Sequence, residues 1–417
     1  MPLEYKDITF SDEFFKPILD VFHQSDSRYT CHSHSDIDHL KVGIERCVDQ
    51  VQSGRDFIQK LGDNEVRDLS VSHFFKSLKS KRRLQNITSV CDLLAPVVAQ
   101  KVTDPFEQFN ELKNWDIYAV DGHYQEHATH DPVHKSPKGK ESRPATGQFF
   151  RLNLRTHHMS LLDTMQPGKG RKKEHDMKVI KRVDPDELRN HAPKGRKVML
   201  VWDKACIDYG KWHQLKHNNG VYFVTMEKSN SAAITCSTDQ CDHSDLRNEG
   251  ILSEEYVGVA DGDMLRRITY KNPLNDEVYR YLTNDFTIPA YLIVTFYKHR
   301  WDIEKVYYEF KSKFCERKSW ASGVTAKKSQ AIFQCLLHNL CLLMEKQVEE
   351  AGLVDIVSKK RDKGRKRKKP TVYLTKIVQR ASHRTFVFIR WVRTFLENQG
   401  SYTRALKRLN RLYTQDL

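Results

Sequence analysis

The chain has 417 residues, of which 39% are hydrophobic, and it carries a formal net charge of +15 with an isoelectric point near 9.2. This length allows roughly two to four domains and a sizeable core, and the hydrophobic content excludes a disordered chain. The excess of cations favours a polyanionic partner such as nucleic acid.

The sequence predicts neither export nor membrane insertion. Its first ten residues lead into acidic and polar positions rather than an apolar core, so we expect no signal peptide. No run of about 18 apolar residues is present, so no membrane span is expected. The nine cysteines are scattered, without a Cys-x2-Cys pair. Such spacing suits reduced thiols, and we therefore expect a cytoplasmic protein.

Residues 1–112 read as a helical region. Apolar residues recur at helical spacing from Leu40 to Leu61, and the Gly62-Asp63-Asn64 sequence ends that pattern. A further helical stretch runs from Asp68 to Leu84. This stretch ends with four cations: Lys79, Lys81, Arg82 and Arg83. Two interpretations stay open, namely a helical DNA-binding domain that presents these cations to phosphate, and an ordinary helical domain with a basic exposed end.

Two short β-prone runs end in aspartate within residues 113–229, where we predict an α/β core. Residues 116–121 form a strand pattern that ends at Asp121 before a turn, and the apolar run 198–202 is followed by Asp203. An acid at the end of a buried strand is costly unless it is paired or bound to metal. Asp121 also suits a simple turn former, and Asp208 competes with Asp203 for the second position.

Several other groups of polar residues leave alternatives open. Histidines follow Asp121 closely enough to suggest zinc, although a polar loop is the simpler interpretation: His123, His127, His130 and His134. His123 could instead lie behind an active site. The basic, glycine-containing segment 167–183 is either a solvated surface or a phosphate contact. Three irregularly spaced residues could suggest a metal site, although a loop with reduced thiols is the preferred interpretation: Cys236, Cys241 and His243.

The composition changes after the core strands. Residues 230–286 are polar with short strand-like pieces, which predicts a β-rich insertion. Residues 287–350 return to core character, with a long helix predicted over 322–350. Residues 351–417 contain a dense cationic run at 358–370, read as a linker, and then two arginine-rich helices. That basic helical surface could meet either a DNA backbone or a partner subunit.

The segment Tyr297 to Lys311 is predicted to be one amphipathic helix. Tyr297, Arg300, Glu304 and Lys311 fall within roughly 60° of one another on one helical face, beside a separate apolar stripe. A solvated Arg300–Glu304 pair would explain part of this pattern. Yet one carboxylate that can hold a metal, two cations that can hold phosphates and one ring that can stack on a base are what DNA strand cleavage needs.

The spacing Tyr-x2-Arg-x3-Glu-x6-Lys in this helix resembles the signature of DDE transposases of the insertion-sequence-four family. Asp121 and Asp203 stand in the places of the two upstream aspartates of that family. The resemblance covers mainly residues 115–345. It departs from the family after the second aspartate, where Lys204-Ala205-Cys206 stands in place of the usual Arg-Gly and aromatic residue.

The resemblance implies an α/β fold with an RNase H-like core that the β-rich insertion interrupts, between helical N- and C-terminal regions. It implies that Asp121, Asp203 and Glu304 are catalytic and hold two Mg²⁺ ions, for which Mn²⁺ can substitute. The resemblance assigns DNA binding to three further residues: Tyr297, Arg300 and Lys311.

The activity implied by the resemblance is binding of terminal inverted repeats, followed by metal-dependent DNA cleavage and strand transfer into target DNA. A homodimer on paired DNA ends, in a bacterial or archaeal cytosol, is the corresponding assembly. Two alternatives stay open: a DNA-binding regulator that has this fold without its chemistry, and a structure-selective RNase H-like nuclease. Some relatives stack a flipped base on a tryptophan of the insertion. This chain has none between Trp212 and Trp301, so Tyr270, Tyr279 or Tyr281 would have to substitute.

Overall fold

A computed structural model gives the structure of the protein. It describes residues 8–22, 34–51, 53–64, 68–135, 139, 141–165, 174, 176–239, 241–259, 264–314, 316, 318–352, 378 and 384–414. The predicted linker at 358–370 lies outside the described residues.

Strands in the described residues run as follows: β1 Trp115–Gln125, β2 His134–Lys135, β3 Glu141–Ser142, β4 Thr146–Asn153, β5 Met159–Thr164, β6 Lys197–Val201, β7 Val221–Met226, β8 Ile234–Asp239, β9 Ile251–Gly258, β10 Met264–Lys271 and β11 Val278–Thr283. Nine of them form one sheet in the order β5-β4-β1-β6-β7-β11-β10-β9-β8. β1 pairs antiparallel with β4 and parallel with β6, and β6 pairs parallel with β7. The predicted α/β class is therefore confirmed.

Helices in the described residues run as follows: α1 Phe10–Phe22, α2 Asp36–Val48, α3 Gly54–Asp63, α4 Val71–Leu78, α5 Lys81–Lys101, α6 Asp176–Arg182, α7 Pro185–Leu188, α8 Tyr209–Asn219, α9 Ala290–His299, α10 Trp301–Ser312, α11 Val324–Glu350, α12 Phe386–Glu397 and α13 Tyr402–Thr414. The long helix α11 and the two C-terminal helices match the predicted elements. Within the described ranges, no helix has the length and apolar character needed to cross a membrane.

The sheet separates two hydrophobic cores, and β1 contributes to both. Ile117 and Ala119 belong to the core shared with α1–α5 and α9–α13, whereas Tyr118 and Val120 belong to the core under α6–α8. This alternation follows from the two-residue period of a strand. Asp121 lies two residues after Ala119 on the same strand, so its side chain is expected on the same face of the sheet, which carries α9–α11.

The four strands of the predicted insertion lengthen the core sheet. β11 pairs antiparallel with β7, with Leu282 opposite Thr225, and β10, β9 and β8 follow outward in turn. The backbone groups at the edge of β7 are thereby paired, as buried backbone groups must be.

The predicted helix from Leu40 to Leu61 is wrong in its continuity, because α2 ends at Val48 and α3 begins at Gly54. Asp49 ends α2, and its carboxylate accepts a hydrogen bond of 2.6 Å from the Val51 N–H. Ser53 then caps α3. Local side-chain hydrogen bonds of this kind compete with helix continuation even where the apolar spacing suits a helix.

The interpretation of the basic stretch at 79–83 as wholly presented to phosphate is also corrected. Ser80 caps α5 and so separates it from α4. Arg83 is buried and donates to the backbone carbonyl of His34 at 2.6 Å, whereas Arg82, whose side chain is 40% exposed, pairs through its guanidinium with Asp36. Lys79 and Lys81 remain exposed.

Candidate active site

The two predicted aspartates lie at one edge of the sheet because of the strand register. Ala119 of β1 pairs with Val201 of the parallel strand β6. Asp121 and Asp203 each follow that pair by two residues, so both acids stand at the carboxyl end of this parallel pair. The prediction that the first strand ends at Asp121 is wrong: β1 continues to Gln125 because β4 pairs with it as far as that residue.

The predicted continuous helix from Tyr297 to Lys311 is divided at Arg300, where α9 ends and α10 begins. The Arg300 N–H is shared between the carbonyls of Phe296 and Tyr297, at 3.0 and 3.2 Å. Such a shared hydrogen bond is common at helix ends. Tyr297 therefore lies on α9, whereas Glu304 and Lys311 lie on α10.

Arg300 lies between two of the predicted catalytic carboxylates, those of Asp121 and Glu304. Its guanidinium Nη1 lies 3.8 Å from Asp121 Oδ2, and its Nη2 lies 3.5 Å from Glu304 Oε1. Arg300 is buried, while the side chains of Asp121 and Glu304 are 21% and 37% exposed. Both carboxylates can therefore be reached from solvent by an ion or a phosphate.

The pKa values of the carboxylates in this group are set by burial, by the neighbouring acids and by Arg300. Burial raises the pKa of Asp121 to about 6; Arg300 opposes the shift, and Glu304 and Asp176 add to it. Burial likewise raises the pKa of Glu304, with the charge of Asp203 adding to the shift. Glu304 thus interacts electrostatically with Asp121 and with Asp203.

Two buried side chains of the α10 region brace β1 at this point. The Tyr307 hydroxyl donates to the backbone carbonyl of Asp121 at 2.7 Å. Its ring packs 4.6 Å from the ring of His123, and His123 Nε2 lies 2.6 Å from the Glu316 carboxylate. Tyr307 belongs to the apolar stripe predicted for the segment Tyr297 to Lys311. His123 makes this structural contact and does not join the carboxylates.

Asp208, the competitor of Asp203, is engaged elsewhere. Its carboxylate caps α8 by accepting from the Lys211 N–H at 3.0 Å, and it also pairs with Lys181. Asp203 lies in the turn after β6, where it accepts from the Lys204 N–H at 2.7 Å. The contacts of Asp208 account for that acid without a catalytic role.

The remaining predicted DNA-binding residues occupy different environments. Tyr297 is buried, and its ring packs 4.9 Å from the ring of Tyr281 on β11. Burial raises the pKa of Tyr297 to about 12. Lys311 is exposed on α10, two turns beyond Glu304. Trp301, which the sequence pattern left without a role, is half-exposed and lies 5.1 Å from the Arg300 guanidinium.

Asp176 is a further acid near the group that sequence reasoning missed. It opens α6 and contributes to the raised pKa of Asp121. Gly122 allows the close approach of Met165 rather than of Asp176, because a Cβ there would lie 2.5 Å from Met165 Cε but at an ordinary contact distance of 3.6 Å from Asp176 Oδ1. Asp176 lies in the segment 167–183, which sequence reasoning interpreted only by its basic residues.

The carboxylate oxygens of Asp121, Asp203 and Glu304 are the type of ligand that suits a hard divalent cation. Carboxylate oxygens are the ligands that Mg²⁺ prefers, and it usually keeps several waters and substrate phosphates beside one or two carboxylates. Among the residues that the structure describes, no three His, Cys, Asp or Glu side chains are arranged as a compact metal site. An ion held here by Asp121, Asp203 and Glu304 would therefore also need water or phosphate oxygens. No such arrangement is found either among the histidines after Asp121 whose side chains the structure describes: His123, His127 and His130.

A large cavity lies apart from these carboxylates. It has a volume of about 880 Å³ and is lined by helices α2–α4 and by the segment that follows α10, including Phe75, Lys79 and Trp320. None of the three predicted catalytic acids lines it. Its size alone therefore does not mark it as the site of the chemistry.

Comparison with protein families gives one match over the same part of the chain. Residues 116–340 match the family model described as a transposase DDE domain. This range begins in β1, ends in α11 and contains Asp121, Asp203 and Glu304. A search of curated proteins finds no match for the chain.

Proposed function

The chain belongs to the transposase DDE-domain family, since the match spans more than half of its length, and we propose that it is a metal-dependent DNA transposase of the insertion-sequence-four type. In this proposal the protein binds the terminal repeats of its element, cleaves the DNA strands at the ends and transfers them into target DNA.

The observation that carries the proposal is the pairing of Asp121 and Glu304, from distant parts of the chain, with one buried arginine, beside the strand that leads to Asp203. Arg300 lies within 3.8 Å of Asp121 and within 3.5 Å of Glu304, and Asp203 follows the neighbouring parallel strand. Acids raised in pKa by burial and by one another are typical of functional sites.

Each side chain then has a role in phosphoryl transfer. Asp121, Asp203 and Glu304 would hold the divalent cations, which lower the pKa of an attacking water or DNA 3′-hydroxyl and stabilise the leaving oxygen. Arg300 would bind a non-bridging oxygen of the reacting phosphate, as its buried guanidinium is already fixed between two acids. Lys311 would contact a neighbouring phosphate of the same DNA strand.

The strand order supports an RNase H-like core. β5, β4 and β1 form an antiparallel unit, and β6 and β7 continue it in parallel. In this proposal residues 113–229 and 287–350 make the core, and residues 230–286 are an insertion that extends its sheet. The spacing of Tyr297, Arg300, Glu304 and Lys311 supports the assignment to the insertion-sequence-four type.

The terminal regions would serve DNA and assembly. Residues 1–112 would bind the terminal repeats, with Lys79 and Lys81 as exposed cations available to phosphate after Arg82 and Arg83 are engaged internally. Two chains would act together on paired ends, with the whole reaction taking place in the cytosol. Residues 351–417 would contribute the basic C-terminal region.

The experiment that tests the proposal is cleavage and joining of a labelled duplex that carries the end of the element, in the presence of Mg²⁺ or Mn²⁺. Wild type is compared with Asp121→Asn, Asp203→Asn and Glu304→Gln, which keep the size of each side chain. We expect wild type to nick and join the end, and each variant to bind the duplex while losing at least about 10²-fold in rate.

Asp208→Asn is the matched control, because this acid is five residues from Asp203 and asparagine can still cap α8. It should retain wild-type activity. Full activity in any of the three site variants would remove that residue from the catalytic set. Binding by wild type without any cleavage would favour a DNA-binding regulator.

A further inference from the structure

The last helix of the described chain carries cations on one side only. α13 contains Arg404, Lys407, Arg408 and Arg411, all exposed, and has no Asp or Glu. Positions separated by three, four and seven residues fall within an arc of about 100° on a helix. The cations therefore form a single line, which we call the α13 stripe.

The opposite side of α13 fixes the helix to the body of the protein. Ala405, Leu409 and Tyr413 are buried. The Trp391 indole N–H of α12 donates to the Ala405 carbonyl at 2.8 Å, and the backbone N–H of Tyr402 donates to Ile8 at 2.8 Å. The direction in which the stripe points is consequently set by a packed core.

Three of the four cations in the stripe have no acidic partner within the part of the chain that the structure describes. Among the described residues, Arg404, Lys407 and Arg408 form no ion pair with an acid. Like charges at these helical spacings repel one another, so the stripe weakens the isolated helix instead of supporting it. An external partner that supplies negative charge would relieve this repulsion.

The dimensions of the stripe match a DNA backbone. From Arg404 to Arg411 the helix rises about 10 Å. Duplex DNA carries one negative charge per about 1.7 Å of its axis, so this length faces the phosphates of about three base pairs. A protein partner fits less well, because interface centres are apolar and depleted in lysine. No strongly exposed large hydrophobic residue of the described chain belongs to α13.

We propose that the α13 stripe is a DNA-backbone contact, separate from the carboxylate site, that holds duplex DNA through its phosphates without reading sequence. The inference rests on the proposed function for the presence of DNA, and it adds the surface by which the C-terminal region binds it. Each of the three unpaired cations would displace about one counterion from the duplex.

The test is the salt dependence of duplex binding by the full chain, measured by fluorescence anisotropy of a labelled end duplex. The variant Arg404→Ala/Lys407→Ala/Arg408→Ala removes the unpaired cations, while Arg411, which has another contact within the chain, is left unchanged. Each phosphate contact contributes about 0.9 to the slope of log K against log salt. We therefore expect the slope of the variant to be shallower by about 2.7.

Two control variants separate local contact from charge and from folding. Arg404→Lys/Arg408→Lys keeps every charge and should keep the wild-type slope. A variant that neutralises three exposed lysines elsewhere should also keep it: Lys101, Lys113 and Lys194. Circular dichroism checks that α13 variants stay folded, and light scattering measures their oligomeric state.

The outcomes distinguish this inference from the proposed function. If wild type binds and cleaves DNA while the triple alanine variant keeps the full slope, the α13 contact is overturned and the transposase proposal stands. An equal loss of slope in the control with three other lysines also overturns it. A variant that keeps the slope but loses self-association would assign the stripe to a partner subunit. If wild type does not bind duplex DNA, both proposals fail.

Discussion

Replacing Arg384 by methionine should be among the most damaging single changes outside the carboxylate site. Arg384 is buried ahead of α12, and its Nη1 lies 2.7 Å from Glu309 Oε2 on α10. Its backbone N–H donates to the other oxygen of Glu309 at 2.9 Å, and its Nε donates to Glu345 at 2.8 Å. These contacts connect the C-terminal region to the helix that carries Glu304.

The magnitude follows from the burial of both charges. Removing one partner of a buried, hydrogen-bonded ion pair typically costs about 3–5 kcal/mol, because the other charge stays buried without compensation. Arg384→Met should lower the free energy of unfolding by this amount, since Lys313 lies 3.9 Å from Glu309 and compensates it only in part. The double replacement Arg384→Met/Glu309→Leu should cost less than the sum of its single changes.

Urea unfolding followed by tryptophan fluorescence measures these differences. Lys101→Ala is the comparison, because it breaks an ion pair with Glu350 whose side chains are 54% and 60% exposed. Exposed pairs contribute less than about 1 kcal/mol. If Arg384→Met were no more destabilising than Lys101→Ala, or if the double replacement were fully additive, the reasoning from burial would be refuted.

Three further predictions concern acid stability, packing and the brace on β1. Burial raises the pKa of Asp302, but its hydrogen-bonded histidine and lysine neighbours outweigh burial and lower that pKa to about 2. Because the pKa is depressed in the folded state, ionised Asp302 contributes about 2 kcal/mol to the free energy of unfolding above pH 4, and this contribution is lost toward pH 2. The melting curves of Asp302→Asn and wild type should therefore converge in that window, whereas a constant difference between them would contradict the prediction. Gly43→Ala should lower the free energy of unfolding by at least about 1–3 kcal/mol, because the added Cβ would lie 2.3 Å from the Phe333 ring. A melting temperature equal to that of wild type would show that α2 and α11 pack less closely than this distance indicates. Tyr307→Phe removes one buried hydrogen bond to the Asp121 carbonyl and should cost about 1–3 kcal/mol in unfolding by urea, whereas an unchanged midpoint would show that this bond does not stabilise the fold.

Much of the fold could be predicted because its signals are local. The apolar run at 198–202 predicted β6, the period of residues 322–350 predicted α11, and the β-prone run at 116–121 predicted the first part of β1. Parallel register then brings Asp121 and Asp203 to one edge, since Ala119 pairs with Val201. That consequence needs only the strand assignments.

The remaining features depend on tertiary contacts that local patterns do not encode. β1 extends past Asp121 because β4 is available to pair with it. Arg82 is held in an ion pair by Asp36, which is distant from it in sequence. Likewise, α9 and α10 separate at Arg300, although the apolar period continues through the break. The proximity of Asp176 to Asp121 depends on the packing of α6 and does not follow from the local sequence.

The central claim is that Asp121, Asp203 and Glu304 form one divalent-metal centre. Its most direct test is to measure, by electron paramagnetic resonance, how many Mn²⁺ ions the full chain binds in the presence of an end duplex. The account predicts about two bound ions for wild type and for Asp208→Asn, with fewer for Asp121→Asn, Asp203→Asn and Glu304→Gln. Equal Mn²⁺ binding by wild type and all three site variants would contradict it.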